Sequence, residues 1–270
     1  MVIQVLNLGR VPYETALQLQ QTLLQLRKAE RIGNTLLLLE HPPVITLGRN
    51  AQLANVLASP EFLAQRGVEL HEIDRGGDVT FHGPGQLVAY PIFDLRSFEP
   101  KVGAVEFVRR LEEVLIRTCG DYGIGTQRVK GLTGVWTYAL RHKPEAKIAA
   151  IGVHISRGVT THGFALNVST DLDYFSLIVP CGLTGKPVTS MERELQKSLT
   201  VDEVAMAASR NFGRVFQAQM LWLESLDDLL AQVSEPRPQA ETAPQPANQD
   251  IPAHPPKELR KMHGDGTELA

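Results

Sequence analysis

Apolar and polar positions along the chain alternate between two rhythms, one of period two and one near 3.6. Val2 to Leu8 is a short apolar run and predicts a strand. Pro12 suits a first helical position, where its missing N–H is no loss. Ala16, Leu19, Leu23, Leu24 and Leu26 then follow a helical period ending near Gly33. Thr35 to Leu39 is a continuous apolar run of the kind found in buried strands. His41-Pro42-Pro43 breaks it, and Val44 to Leu47 resumes as a strand stopped by Gly48. Pro60 opens a short helix through Gln65, and Leu70 to Ile73 leads into a glycine-rich stretch. Leu87 to Phe93 predicts another strand, with Pro91 suggesting an edge or a bulge. The strongest helical pattern runs from Val102 to Tyr122, with Val105, Val108, Leu111, Leu115 and Ile116 on one face and Gly123 as the stop. Gly134 to Tyr138, Ala146 to Ile155 and Thr160 to Val168 predict three strands, with Arg141-His142-Lys143-Pro144 as a charged turn. Val201 to Phe216 predicts a helix capped by Thr200 or Asp202, and Leu221 to Leu230 a last short helix. Strands mixed with a few helices, without strict alternation, predict an α+β or mixed α/β domain with a largely antiparallel sheet.

Composition narrows this picture. A chain of 270 residues with 43% hydrophobic content can bury a sizeable core. From Ser234 onward Pro and Gln dominate and aromatics vanish, so the chain divides into a folded domain, 1–232, and a tail, 233–270, expected to be disordered. A net charge of -3 gives no general case for nucleic acid. No apolar run has the length of a membrane span, and the first ten residues do not read as a signal peptide, so a soluble, cytoplasmic protein is expected. Two cysteines in that setting do not suggest a disulfide, and no CxxC, HExxH or EF-hand pattern supports a metal site. Neither Gly182-Leu183-Thr184-Gly185-Lys186-Pro187 nor Gly83-Pro84-Gly85 has phosphate-loop spacing.

Candidate chemistry centres on two residues. Cys181 lies between Pro180 and Gly182, a turn that presents a side chain, whereas Cys119 ends a helix and reads as a small buried hydrophobe. A thiol with a pKa of ~8.5 is only a few per cent thiolate near neutrality, and lowering it by ~1.5 units needs about 2 kcal/mol. Lys147 could supply this as a nearby cation; it opens an otherwise apolar strand, where a lysine more often simply snorkels to water. Period-two alternation puts Lys147 on one face with Ala149, Ile151 and Val153. Ala150 and Gly152 share a face, as do Gly163 and Ala165 on the next strand. Small residues facing one way on neighbouring strands make a slot, suited either to close helix packing or to an extended alkyl chain. Six methylenes at ~0.8 kcal/mol each would contribute about 5 kcal/mol to binding. Among His41, His71, His82, His142, His154 and His162, His82 stands out because the glycine-rich stretch surrounds it.

The run Arg75-Gly-Gly-Asp-Val-Thr-Phe-His-Gly-Pro-Gly-Gln-Leu-Val-Ala-Tyr-Pro91 resembles the signature of lipoyl(octanoyl) transferases. Lys147-Ile-Ala-Ala-Ile-Gly-Val-His, Gly163-Phe-Ala-Leu-Asn-Val, Pro180-Cys-Gly-Leu and Glu40-His-Pro-Pro-Val-Ile-Thr-Leu-Gly-Arg49 also match that family in order, over roughly residues 5 to 215. The resemblance implies the biotin/lipoate protein ligase-like fold, a mixed sheet flanked by helices. It implies transfer of an octanoyl or lipoyl group from acyl carrier protein to a lysine of lipoyl domains, on 2-oxoacid dehydrogenase acyltransferase subunits and glycine cleavage H protein. Neither ATP nor a metal is implied. By position, Cys181 would be the nucleophile and Lys147 its partner. Arg75, Gly76, Gly77, Asp78, Val79, Thr80, Phe81, His82, Ala150, Ile151, Gly152, Gly163, Phe164 and Ala165 would line the acyl pocket. An ATP-dependent ligase on the same fold, a thioesterase and a non-catalytic acyl-carrier-binding module are the competing readings. The acidic partners usual in this family give Arg75, Arg141, Lys143 and Arg157 a possible role as a basic rim.

Overall fold

The computed structural model describes residues 1–180 and 185–234. The tail from residue 235 and four residues around Cys181 (181–184) lie outside the described residues. Among the described residues, eleven strands and six helices alternate irregularly: β1 (Val2–Arg10), α1 (Tyr13–Lys28), β2 (Asn34–Glu40), β3 (Val44–Leu47), α2 (Pro60–Gln65), β4 (Glu69–Glu72), β5 (Val79–His82), β6 (Gln86–Ile92), α3 (Ala104–Asp121), β7 (Thr126–Val129), β8 (Leu132–Thr137), β9 (Lys147–Ser156), β10 (Val159–Asn167), α4 (Met191–Leu195), α5 (Val201–Phe216), β11 (Gln219–Trp222) and α6 (Leu226–Ser234). Eight strands form one sheet in the order β11-β1-β2-β6-β10-β9-β8-β7, and β4-β3-β5 form a second. β1 runs parallel to β2 and β11, and the other pairs of the large sheet are antiparallel.

The large sheet is covered on both faces. On one, α3 and α5 pack Phe107, Leu111, Phe212 and Phe216 against Ile3, Leu36, Leu87, Ala89 and Phe164. On the other, α1 places Ala16 and Leu23 over Leu37, Leu39, Val88, Tyr90 and Ala165. α5 begins at a reciprocal cap: Thr200 Oγ1 accepts from the Glu203 amide at 3.3 Å, and Glu203 Oε2 accepts from the Thr200 amide at 3.0 Å.

Two expectations change. Pro91 lies in an interior strand, paired with Leu36 of β2. The ladder between β6 and β10 is interrupted there: Thr160 Oγ1 donates to the Pro91 carbonyl at 2.6 Å and accepts from the Phe93 amide at 3.0 Å. Gly163 admits the proline ring, because an added Cβ would stand 2.6 Å from Pro91 Cδ and 2.1 Å from the Ala89 carbonyl oxygen. β5 pairs with β3 and β6 with β2 and β10, so the glycine-rich stretch crosses from one sheet to the other. The second is that Leu221 belongs to an edge strand, and the last helix starts at Leu226.

Candidate active site

A break in the regular pleat determines where Lys147 points. Trp136 pairs with Lys147 and its neighbour Val135 with Ala149, so Ile148 is an extra residue on β9. This is a β-bulge, which re-aims the side chains that flank it. Ile148 and Ala149 both enter the α3/α5 core, and Lys147 turns to the opposite face. Lys147 thus does not share a face with Ala149, Ile151 and Val153, as strict alternation predicts. Gly134 makes room for it: an added Cβ would lie 2.8 Å from Lys147 Cε, and the glycine's φ of +123° is costly for other residues. The ammonium stands 5.5 Å from the centre of the Trp136 ring, and Lys147 is only 7% exposed. A lysine held this way is a positioned group, not a solvated strand end.

Lys147 lines a small cavity of about 300 Å3 with Thr80, Gln86, Asn167, Phe175, Pro180 and Val188. Beyond the last β10 partner of β9, residues 187–189 take the strand's place: Lys147 N–H donates to the Pro187 carbonyl, and Thr189 N–H to the Lys147 carbonyl, both at 2.9 Å. Asn167 Nδ2 holds the Thr189 carbonyl at 3.0 Å, and Gln86 Nε2 donates to Asn167 Oδ1 at 2.8 Å. The upstream flank is tied as well, since Val179 N–H donates to the Asn55 carbonyl at 2.7 Å. Cys181 itself lies outside the described residues, directly after Pro180 in the chain.

Thr80, Ala150 and Ala165 also line a larger cleft of about 480 Å3, so the two spaces share a boundary. Ala150 and Ala165 are direct partners across β9 and β10. Arg75, Gly77, Asp78, His82, Ile151, Gly152, Gly163 and Phe164 complete the part of the cleft lining that the sequence suggests. Phe164 presents main chain there, because its ring stacks on Phe212 on the other face at 5.9 Å. Val79 and Phe81 are not on the cleft; β5 alternation turns them into a separate core with Ile45, Leu63 and Phe175. Gly76 sits at the margin, its N–H donating to the Val153 carbonyl at 3.0 Å.

The glycines of this region bring main chains together. A Cβ on Gly48 would lie 2.4 Å from the Gly77 carbonyl oxygen, and one on Gly152 2.7 Å from that of Gly76. Arg75 is buried between them and donates to the Thr46 carbonyl at 2.7 Å and to Thr46 Oγ1 at 2.9 Å. It is therefore no part of a basic rim, and Lys143 is engaged by Glu194. Asp78 braces the loop by accepting from Asn55 Nδ2 at 2.6 Å.

Tyr13, Tyr90, Val88 and His162 line the cleft without having been singled out from sequence. They come from three elements, α1, β6 and β10, that only the fold brings together. The positive φ of His162 (55°), next to Gly163, has no sequence signal. Its Nε2 lies 2.7 Å from Asp74 Oδ1, and that hydrogen bond is the main reason the Asp74 carboxyl is held below its usual range. Burial pulls His82 down to about 3, with His41 and Arg75 adding to it, and pulls His41 down to about 4. Both imidazoles are neutral near pH 7. Cys119 is buried in α3, and loss of hydration pushes its thiol up to about 12, which leaves it inert. Among the described residues, no group of three or more His, Cys, Asp or Glu could hold a metal, and no helix is long and apolar enough to cross a membrane.

Comparison with known proteins gives the chain's family and its fold. An octanoyltransferase of Koribacter versatilis (strain Ellin345) is 64% identical over 268 residues, 99% of this chain and 100% of that protein. One from Acidobacterium capsulatum is 61% identical over 241 residues, 87% of this chain and 98% of that protein. In shape, the chain is similar to one from an archaeal lipoylation system of Thermoplasma acidophilum, a bi-partite lipoate protein ligase with its E2 lipoyl domain (TM-score 0.67, 19% identity, 86% of this chain and 91% of that chain). It is also similar to a lipoate-protein ligase A bound with ATP (TM-score 0.64, 18% identity, 86% and 93% coverage). Residues 12–213 match the lipoyl protein ligase A/B catalytic domain, and the chain belongs to that family.

Proposed function

We propose that this chain is an acyltransferase of protein lipoylation, moving an octanoyl or lipoyl group from acyl carrier protein to a lysine of lipoyl domains. The acceptors are those of 2-oxoacid dehydrogenase acyltransferase subunits and glycine cleavage H protein. One observation carries the mechanistic part: the β9 bulge aims Lys147 into a cavity walled by Pro180, the residue before Cys181. A cation beside that turn favours the thiolate form of Cys181.

In the first half-reaction Cys181 sulfur attacks the carbonyl carbon of the octanoyl thioester. The bond to the carrier's sulfur breaks, and Lys147 passes the proton from Cys181 to the departing sulfur. In the second half-reaction the acceptor lysine's amine attacks the new thioester. The carbon–sulfur bond to Cys181 breaks, and the proton lost by the amine returns to the Cys181–Lys147 pair. Exchange of one thioester for another is nearly balanced in energy, and the amide product makes the second step downhill, so no nucleotide or metal takes part. The alkyl chain lies across the Ala150–Ala165 pair into the larger cleft, where each buried methylene contributes about 0.8 kcal/mol.

Mixing the protein with octanoyl carrier protein, without acceptor, ATP or added metal, tests this by intact mass. An octanoyl adduct that disappears in Cys181→Ser is the expected result. An adduct that survives the substitution, or transfer that requires ATP, contradicts the mechanism.

A further inference from the structure

Beyond Thr80, Ala150 and Ala165 the larger cleft carries polar side chains among its apolar ones, an unexpected addition for a hydrocarbon tail. Tyr13, His82 and Tyr90 all contribute to it. The hydrogen bonds behind this wall fix what it offers. His41 Nδ1 lies 2.7 Å from the Val11 carbonyl oxygen, which can only accept, so Nδ1 carries the proton. Nε2 of the same neutral ring is then a lone pair, and the Tyr90 hydroxyl, 2.7 Å away, donates to it. A tyrosine has one such proton, so Tyr90 oxygen can only accept from the cleft.

His82 is fixed by the same logic. Gln86 Nε2 donates to the Phe81 carbonyl at 3.2 Å and to Asn167 Oδ1 at 2.8 Å. That leaves Gln86 Oε1 to accept, and His82 Nδ1 donates to it at 2.8 Å. Burial keeps His82 neutral, so its Nε2 is a lone pair. His82 is 7% exposed and Tyr13 2%; neither His82 Nε2 nor the Tyr13 hydroxyl has a hydrogen-bond partner among the described residues. Two committed acceptors and one spare hydroxyl therefore meet in one nearly closed space. A plain alkyl tail leaves them unmet, at a cost in affinity.

We infer that this end of the cleft is a hydrogen-bond-acceptor subsite, which favours acyl chains carrying a hydroxyl- or thiol-type donor near the far end over plain hydrocarbon. The inference rests on the acyl-transfer reading above and adds a substrate preference to it.

The test compares N-acetylcysteamine thioesters of octanoate, of its 6-, 7- and 8-hydroxy derivatives and of the matching methyl ethers as acyl donors. One hydroxylated chain should exceed plain octanoyl by roughly 5-fold in kcat/KM, the effect of one added hydrogen bond, with its methyl ether gaining nothing. His82→Phe should bring the hydroxylated and plain chains level, and Tyr13→Phe should narrow the gap; the ratio of the two donors is read within each variant, so a general loss of activity does not mimic the result. Plain octanoyl matching or beating all three hydroxylated chains, or a methyl ether gaining as much as its alcohol, would overturn the subsite alone. Absence of transfer from every donor would overturn the acyl-transfer reading and the subsite with it.

Discussion

The two faces of the large sheet are made by the same strands and do opposite work. On the α3/α5 face, Phe93, Phe107, Phe164, Phe212 and Phe216 are all nearly or fully buried and interlock, with Phe93 and Phe216 rings 5.5 Å apart. On the other face those strands present Val88, Tyr90, Ala150, Gly163 and Ala165 to a space they leave unfilled. Alternation along β10 shows the split residue by residue: Phe164 packs into one side while Gly163 and Ala165 border the cleft on the other. Large apolar side chains on one face stabilise a sheet whose second face can then be left small, polar and partly empty. The bulge at Ile148 is where the two roles are traded, since it moves Lys147 from the packed side to the open one.

The largest expected effect breaks the packed face. Phe212→Ala removes a fully buried ring in contact with Phe93, Phe164 and Phe216, and should cost about 3–5 kcal/mol of stability in chemical denaturation. The protein that remains folded should keep its KM for the acyl donor. A raised KM at unchanged stability would mean that the two faces are not separable.

A smaller effect belongs to the cleft face and appears as pH dependence. His41 and His82 have folded values of about 4 and about 3, below the ordinary 6.5. Between those values and 6.5 the unfolded chain binds their protons and the folded chain does not. Stability is therefore retained above pH 6.5 and lost as pH falls from 6.5 toward 4, by up to about 1.4 kcal/mol per pH unit for each histidine. Asp74 and Asp94, whose pKa values are lowered, add their own losses only at more acid pH, below 3.8. Urea midpoints at pH 5 and pH 7 should differ in the wild type, and His41→Asn should remove about half of the difference. Equal midpoints in the wild type would show that the two imbalances are absent.

Much of this architecture can be read from local pattern. The helices at Tyr13–Lys28, Ala104–Asp121 and Val201–Phe216 follow their apolar spacing, and the small residues Ala150, Gly152, Gly163 and Ala165 mark the slot. Features that depend on pairing partners are not visible locally. The direction of Lys147 is set by one extra residue against β8, and Pro91 is tolerated inside the sheet because Gly163 and Thr160 stand opposite it. β7 and α4 are too short to show a period, and Tyr13 reaches the cleft only because α1 folds over it, with His41 behind the wall against Tyr90. The glycines of Arg75-Gly-Gly-Asp signal close approach, yet sequence could not say that the partner is another main chain, at Gly48 and Gly152.

The proposed mechanism needs the Lys147 ammonium close to the Cys181 thiol, and the pH dependence of cysteine alkylation measures that proximity most directly. Cys119 is buried in α3, its pKa pushed up to about 12, so in the native protein iodoacetamide reports on Cys181, with Cys119→Ser as the control. The wild type should alkylate with an apparent pKa well below ~8.5, and Lys147→Met should raise it by roughly 1 to 2 units with the thermal midpoint nearly unchanged. An apparent pKa that is ordinary in the wild type, or the same in both proteins, would contradict the account.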